Sequence, residues 1–199
     1  MDKNTIKLVV IEQRKNFEKK LEIIPRSVPK GFAVSKKISV ISGIRRCGKS
    51  TLLKQLAKKY PNYYYFNFED ERLLDFEAKD LNVLYEVFLE LYGDCKYFFF
   101  DEIQNVYGWE KFVRRLFEDG KKIFITGSNA KLLSSELATT LSGRHLKMEL
   151  YPFSFKEFLK YEKFLVKNFY NPSSVPSFIF KITFKPVTLT LCAFIKYQQ

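Results

Sequence analysis

Histidine occurs once in the 199 residues, at His145, and cysteine three times, at Cys47, Cys95 and Cys192. Thiols so few and so scattered exclude a disulfide framework and a Cys-x-x-Cys metal site, and they read as reduced intracellular thiols. A lone histidine, with no second histidine, cysteine pair or serine partner, reads as a strand residue rather than a catalyst, so it receives no role. No run of eighteen or so uncharged apolar residues exists for a helical membrane span, and Met1-Asp2-Lys3-Asn4 leads into charges rather than a signal-peptide core. The expectation is a soluble, cytoplasmic protein with no membrane partner.

Charge is unevenly spread. Residues 1–60 hold 16 Lys and Arg against 4 Asp and Glu, whereas residues 61–199 hold 18 of each, so the whole net charge of +12 sits in the first third. At 46% apolar, 17% aromatic and 28% charged residues, the chain has enough apolar content to bury a core, which excludes disorder across most of its length.

Residues 1–37 read as a basic leader outside the core, with Arg14, Lys15, Lys19 and Lys20 on a helix and Pro25 and Pro29 bounding a loop. A β-branched run, Ile38-Ser39-Val40-Ile41-Ser42, then ends at Gly43 and reads as a buried strand. Helical spacing follows over 49–60 and 77–92, with a strand over 62–68 between them. The apolar run from Tyr97 to Phe100 predicts another strand, and Trp109, Phe112, Val113, Leu116 and Phe117 repeat as a helix up to Gly120. Further strands are predicted over 121–126 and 145–153, with a short helix over 131–142 between them. Strands alternating with helices predict an α/β fold with a mostly parallel sheet. The aromatic cluster from Tyr63 to Phe68 alternates as sheet core, in preference to a nucleic-acid stacking platform. Ser154 and Glu157 form a capping-box signature for a helix to about Asn168. Residues 168–199, without acid or glycine and with three prolines, show no lasting period. The expected organisation is a leader over 1–37, a core over 38–153, and the start of a helix with an atypical tail over 154–199.

Gly43-Ile44-Arg45-Arg46-Cys47-Gly48-Lys49-Ser50 fits the G-x-x-x-x-G-K-[ST] phosphate-loop pattern, between a predicted strand and a predicted helix as its mechanism requires. Glycines let the backbone close on phosphate oxygens, and Lys49 reaches the β- and γ-phosphates. The Ser50 hydroxyl ligates Mg2+, and Thr51 follows on the first helical turn. The expected ligands are ATP and Mg2+. Phe98-Phe99-Phe100-Asp101-Glu102 ends an apolar strand in two acids, placing Asp101 beside the metal and Glu102 where it takes a proton from an attacking water. Ser128 or Asn129, after the strand at 121–126, either orients that water or merely caps a turn. Arg144 reads as an arginine finger toward the γ-phosphate of a neighbouring subunit, which would make a homo-oligomer, or as a solvated charge.

Together these residues resemble the AAA+ class of P-loop ATPases, and within it the uncharacterised, chiefly archaeal ATP-binding proteins. The resemblance rests on Ile41 to Leu53, Phe66 to Leu73, Phe100 to Val106, Ile125 to Asn129, and Leu141 through Arg144 to Tyr151-Pro-Phe-Ser-Phe-Lys-Glu-Phe158, about residues 38–160 in all. It implies a P-loop sheet ordered 5-1-4-3-2, a magnesium and water site at Asp101 and Glu102, a sensor at Ser128 or Asn129, and a finger at Arg144. Proteins of this kind are about twice as long, with a helical lid after the Pro-Phe-Ser-Phe stretch. The resemblance therefore implies a truncated chain with an incomplete lid, in which turnover is in question.

Three functions compete. Mg-dependent ATP hydrolysis coupled to a partner leads. A nucleotide-dependent switch or DNA-binding module with little turnover is the second, drawing on the basic first third for polyanions, although Arg45, Arg46, Lys49 and Lys54 belong to or border the nucleotide site itself. A small-molecule kinase is the third, and the Asp-Glu pair argues against it because it suits water as acceptor.

Overall fold

Alternate residues of the central strands face opposite helical layers, and this alternation builds the core. In a computed structural model describing residues 1–20, 23–128, 140–154, 157, 158 and 160, Phe98 and Phe100 of β3 (Tyr97–Asp101) join one apolar cluster while Phe99, between them, joins the other. Both faces are covered, so the strand is continuously apolar rather than half polar. Phe99 stacks on Phe124 of β4 (Lys122–Gly127) with centroids 4.6 Å apart, and all three phenylalanines are fully buried. Burial of each contributes roughly 1.5–3 kcal/mol.

With β1 (Ile38–Ser42), β2 (Tyr63–Asn67) and β5 (His145–Glu149), these strands form one sheet in the order β2-β3-β4-β1-β5, every neighbouring pair parallel. This is the order that the resemblance implied. Helix α2 (Lys49–Ala57) covers one face through Leu52, Leu53 and Leu56. Helices α3 (Asp80–Tyr92) and α4 (Trp109–Glu118) supply Leu84, Phe88, Trp109 and Val113 to the cluster on the other. The predicted strand over 145–153 stops at Glu149. Leu150 N–H donates to Ser42 O at 2.7 Å, and beyond that β1 gives way to the phosphate loop, leaving no ladder to pair with.

The expected leader is corrected in part. Residues 1–37 do contain a helix, α1 (Lys3–Glu18), but it packs into the core: Ile6, Val9 and Val10 are 0–1% exposed, and the helix lies against β2 and α3. Charge density hid an apolar stripe at i, i+3 and i+4. Gln13 also finishes the sheet edge. Its side-chain amide donates to Asn67 O at 2.9 Å and accepts from Asn67 N–H at 2.8 Å, the pairing that a sixth strand would have given.

The predicted helix over 131–142 lies outside the described residues except at its end, as does most of the predicted helix from Ser154 to Asn168. The chain divides after Ser154 into two units, and the site lies in the first, Met1–Ser154. No described helix is long and apolar enough to cross a membrane, and no three described His, Cys, Asp or Glu side chains cluster as metal ligands.

Candidate functional site

Parallel topology brings the carboxyl ends of β1, β3 and β4 to one edge, and the sequence-predicted residues gather there. The loop leaving β1 needs glycine at two points. A Cβ on Gly43 would stand 2.2 Å from Leu150 O, an impossible contact with backbone, and Gly48 adopts φ +97° as the residue that caps α2. No side chain caps that helix and its first turn holds no acid, so its first N–H groups face the loop's concavity as an anion cradle. Arg46 also has positive φ, 65°. Arg45 and Arg46 are exposed, with Arg45 on Glu69 at 2.9 Å, whereas Cys47 is buried under the loop. Ser50 and Thr51 are exposed and line a cleft of about 350 Å3 together with Lys54, Tyr65, Asn67 and Asp70.

Lys49 is turned inward, 4% exposed. Its Nζ donates to Gly43 O and Ile44 O, both at 3.2 Å, and lies 3.3 Å from Glu102 Oε1. Glu102 occupies the left-handed region at φ +52°, uncommon for a non-glycine residue. Its Oε2 accepts from Ser128 N–H at 2.9 Å and from Gln104 Nε2 at 2.7 Å. Burial pushes this carboxyl up, but the hydrogen bonds from Gln104 and Ser128 and the Lys49 charge outweigh it, holding the group below its ordinary value. Asp101, 1% exposed, behaves oppositely. Burial raises its carboxyl against the opposing hydrogen bonds of Thr126 and Ser50.

Thr126 is the residue sequence reasoning missed. Its hydroxyl donates to Asp101 Oδ1 and accepts from Glu102 N–H at 3.0 Å, joining both acids to the end of β4. Tyr65 adds a second donor to Asp101, with its hydroxyl 3.4 Å from Oδ2. Buried Arg26, from the first third, was missed as well: it donates to Cys47 O at 3.0 Å and to Tyr151 O at 2.6 Å, strapping the phosphate loop to the chain leaving β5. Thr126 had a faint signal, a hydroxyl inside an apolar strand opposite the acids. Arg26 had none, because its partners are distant backbone carbonyls.

Asn129 lies outside the described residues. Arg144 sits just before β5, where its carbonyl accepts from Ile38 N–H at 2.9 Å. That is the amino-terminal end of the sheet, about 16 Å along β1 from Gly43, so Arg144 does not join its own chain's phosphate loop. His145 opens β5, with Nδ1 2.9 Å from Leu141 O.

No metal cluster of the His or Cys kind exists among the described residues, but the oxygen set here suits a harder ion. Asp101 is a buried carboxylate with no ion pair among the described residues, with the Ser50 hydroxyl beside it, and both are hard donors of the kind magnesium takes. The glycine cradle and the uncapped helix likewise fit polyphosphate oxygens.

The sheet order and this loop define a P-loop nucleotide-binding fold of the AAA+ type. The chain matches the AAA domain family over residues 35–159, and it belongs to that family. Among curated proteins it is similar to an uncharacterized protein of Methanocaldococcus jannaschii, 45% identical over 173 residues, which span 86% of this chain and 39% of that one. It is also similar to an uncharacterized protein of Haemophilus influenzae, 46% identical over 131 residues, or 61% of this chain and 33% of the other. The chain thus spans less than two fifths of the length of these relatives. Solved structures that align with it include AMPPCP-bound DnaA from Aquifex aeolicus (TM-score 0.45, 16% identity, 72% of this chain and 48% of that one) and the Walker-type ATPase PABY2304 of Pyrococcus abyssi (TM-score 0.47, 17% identity, 88% and 60%).

Proposed function

We propose that this domain binds ATP with magnesium and hydrolyses it, passing the resulting conformational change to a partner. One observation carries the reading: Lys49, Asp101, Glu102, Thr126 and Ser128 converge at the carboxyl edge of the sheet on three neighbouring strands. In this reading the amides of Gly48, Lys49, Ser50 and Thr51 hold the phosphates and Lys49 neutralises the terminal ones. Ser50 and Asp101 would hold magnesium, which would supply charge neutralisation for the phosphates. Glu102, with its pKa held below the ordinary value, is ionised at neutral pH and accepts a proton from water once its carboxylate is freed from Lys49. Gln104 and the Ser128 amide fix the direction of its carboxylate, and Thr126 fixes Asp101. Arg144 could reach only the site of a neighbouring subunit, so a role for it requires an oligomer.

The test is phosphate release from Mg-ATP together with binding of a fluorescent ATP analogue. Lys49→Ala should abolish binding. Glu102→Gln should keep binding and lower hydrolysis by roughly 10²- to 10⁴-fold. Hydrolysis unchanged in Glu102→Gln would refute the assignment.

A second reading, a nucleotide-dependent switch with little turnover, has one observation in its favour. The Glu102 carboxylate is already engaged by Lys49, Gln104 and Ser128, so it must be released before it meets water. Tight ATP binding by the parent chain with no phosphate release would favour it. A DNA-binding role drawn from the basic first third rests on charge alone at this site, since Arg26, Lys49 and Lys54 are buried.

A further inference from the structure

The opposite edge of the sheet, at the amino ends of β1, β3 and β4, carries a groove of about 580 Å3. Lys36, Lys96, Lys121 and Lys122 line it, and no acidic residue does. Its apolar floor contains Tyr60, Tyr97 and Phe117, the two tyrosine rings 4.1 Å apart and both half-buried. The basic surface continues past the groove. Helix α2 runs back antiparallel to the strands, so exposed Lys58 and Lys59, which follow it, come to this same edge, where exposed Lys37 precedes β1.

The charge here is largely uncompensated. Lys36 and Lys96 are exposed and carry no ion pair among the described residues. Lys122 is buried at 8% exposure, yet among the described residues its Nζ meets only neutral acceptors, Lys37 O at 2.6 Å and Ser39 Oγ at 2.8 Å, with the Phe124 ring at 4.7 Å. A buried ammonium with no carboxylate partner is costly, and an anion arriving in the groove would offset that cost. Only Lys121 is paired, with the exposed Asp94. Glu118 and Asp119, at the end of α4, are further acids near this edge, and Glu118 is held by Arg114 at 2.8 Å.

We propose that this groove binds single-stranded nucleic acid, the lysines taking its phosphates and the exposed part of the packed Tyr60–Tyr97 ring pair offering a stacking surface to a base. Sequence-tolerant strand binding uses this pairing of a cationic groove with aromatic side chains. An acidic peptide would satisfy the lysines but bring no planar rings to the floor, and the bases of a duplex are stacked on one another and present no open face. The groove lies at the other end of the sheet from the phosphate loop and does not depend on ATP hydrolysis.

The experiment is fluorescence anisotropy of a labelled 20-nucleotide oligo(dT) with the full chain between 50 and 200 mM NaCl. Replacing two phosphate-contacting lysines, Lys36→Gln with Lys96→Gln, removes two contacts at a salt slope of about 0.7 each, so the slope of log K against log salt should fall by about 1.4 and affinity at 0.1 M salt by about 25-fold. Lys79→Gln with Lys111→Gln, at the amino-terminal ends of α3 and α4 and away from the groove lining, removes the same charge and should change little. If the double groove variant melts below the parent, Lys96→Gln alone decides, with an expected loss of about fivefold. Binding by the groove variant equal to the parent's would overturn the proposal. So would displacement of oligo(dT) by poly-glutamate at equal charge, which would make the groove an acidic-protein site, or tighter binding of the duplex.

Discussion

Replacing Thr126 by valine keeps the shape of a fully buried side chain and removes only its hydroxyl, so whatever changes can be traced to two hydrogen bonds. One of them donates to the Asp101 carboxylate, and bonds to charged groups are worth about 1.5–3 kcal/mol. The other accepts from Glu102 N–H, which would be left buried and unpaired at a cost of about 1–3 kcal/mol. These overlap because both acids can relax together, so a loss of about 3 kcal/mol is the expectation. For a chain of this size that corresponds to a melting point lower by roughly 6–12 °C. Thr126→Ser keeps the hydroxyl and should recover most of the loss. The assays are urea unfolding and thermal melting of the three proteins, with magnesium-dependent nucleotide binding measured alongside. Losing the Thr126 bond lets burial raise the Asp101 carboxyl further, so Thr126→Val should need more magnesium for the same ATP binding. A Thr126→Val protein within about 0.5 kcal/mol of the parent, with unchanged magnesium dependence, would refute the bridging role.

Gly43→Ala places a methyl group 2.2 Å from the Leu150 carbonyl in a left-handed backbone, so it should pry β5 from the phosphate loop, lower nucleotide affinity at least tenfold and reduce stability by more than about 1 kcal/mol; equal affinity by isothermal titration calorimetry would contradict the close approach. Lys122 supplies a pH test. Burial pushes its ammonium down from 10.5 to about 8, so between these values the unfolded chain holds a proton that the folded chain has released, and stability gains as pH rises through that window. Urea midpoints at pH 7.5, 9 and 10.5 should therefore rise for the parent relative to Lys122→Met, and parallel profiles would count against an ammonium buried in this way.

The phosphate loop, the two acids ending β3 and the alternation of strand and helix were legible in the amino-acid order because each is a local signal. Glycines sit at fixed spacing, an apolar run stops at charge, and periods change from two to 3.6. Tyr65 and Arg26 were not legible and Thr126 only faintly so, since their meaning comes from partners on other strands or on distant backbone carbonyls. The same is true of α1. Its charges dominate its composition, while the stripe that matters, Ile6, Val9 and Val10, is short and finds its value only against β2 and α3.

Charge shows the division most clearly. The sequence alone determined that the net +12 lies in the first sixty residues and that a nucleotide loop sits within them. Only the tertiary structure decided where those charges act. It buries Arg26, Lys49 and Lys54 around the loop, spends Lys3 and Lys7 on Glu86 and Glu90 of α3, and gathers Lys36, Lys37, Lys58 and Lys59 with Lys96 and Lys122 at the far edge of the sheet. The physical reason is the parallel sheet itself. It sends every strand's carboxyl end to one side and every amino end to the other, so residues far apart in the chain become neighbours according to which end of a strand they occupy.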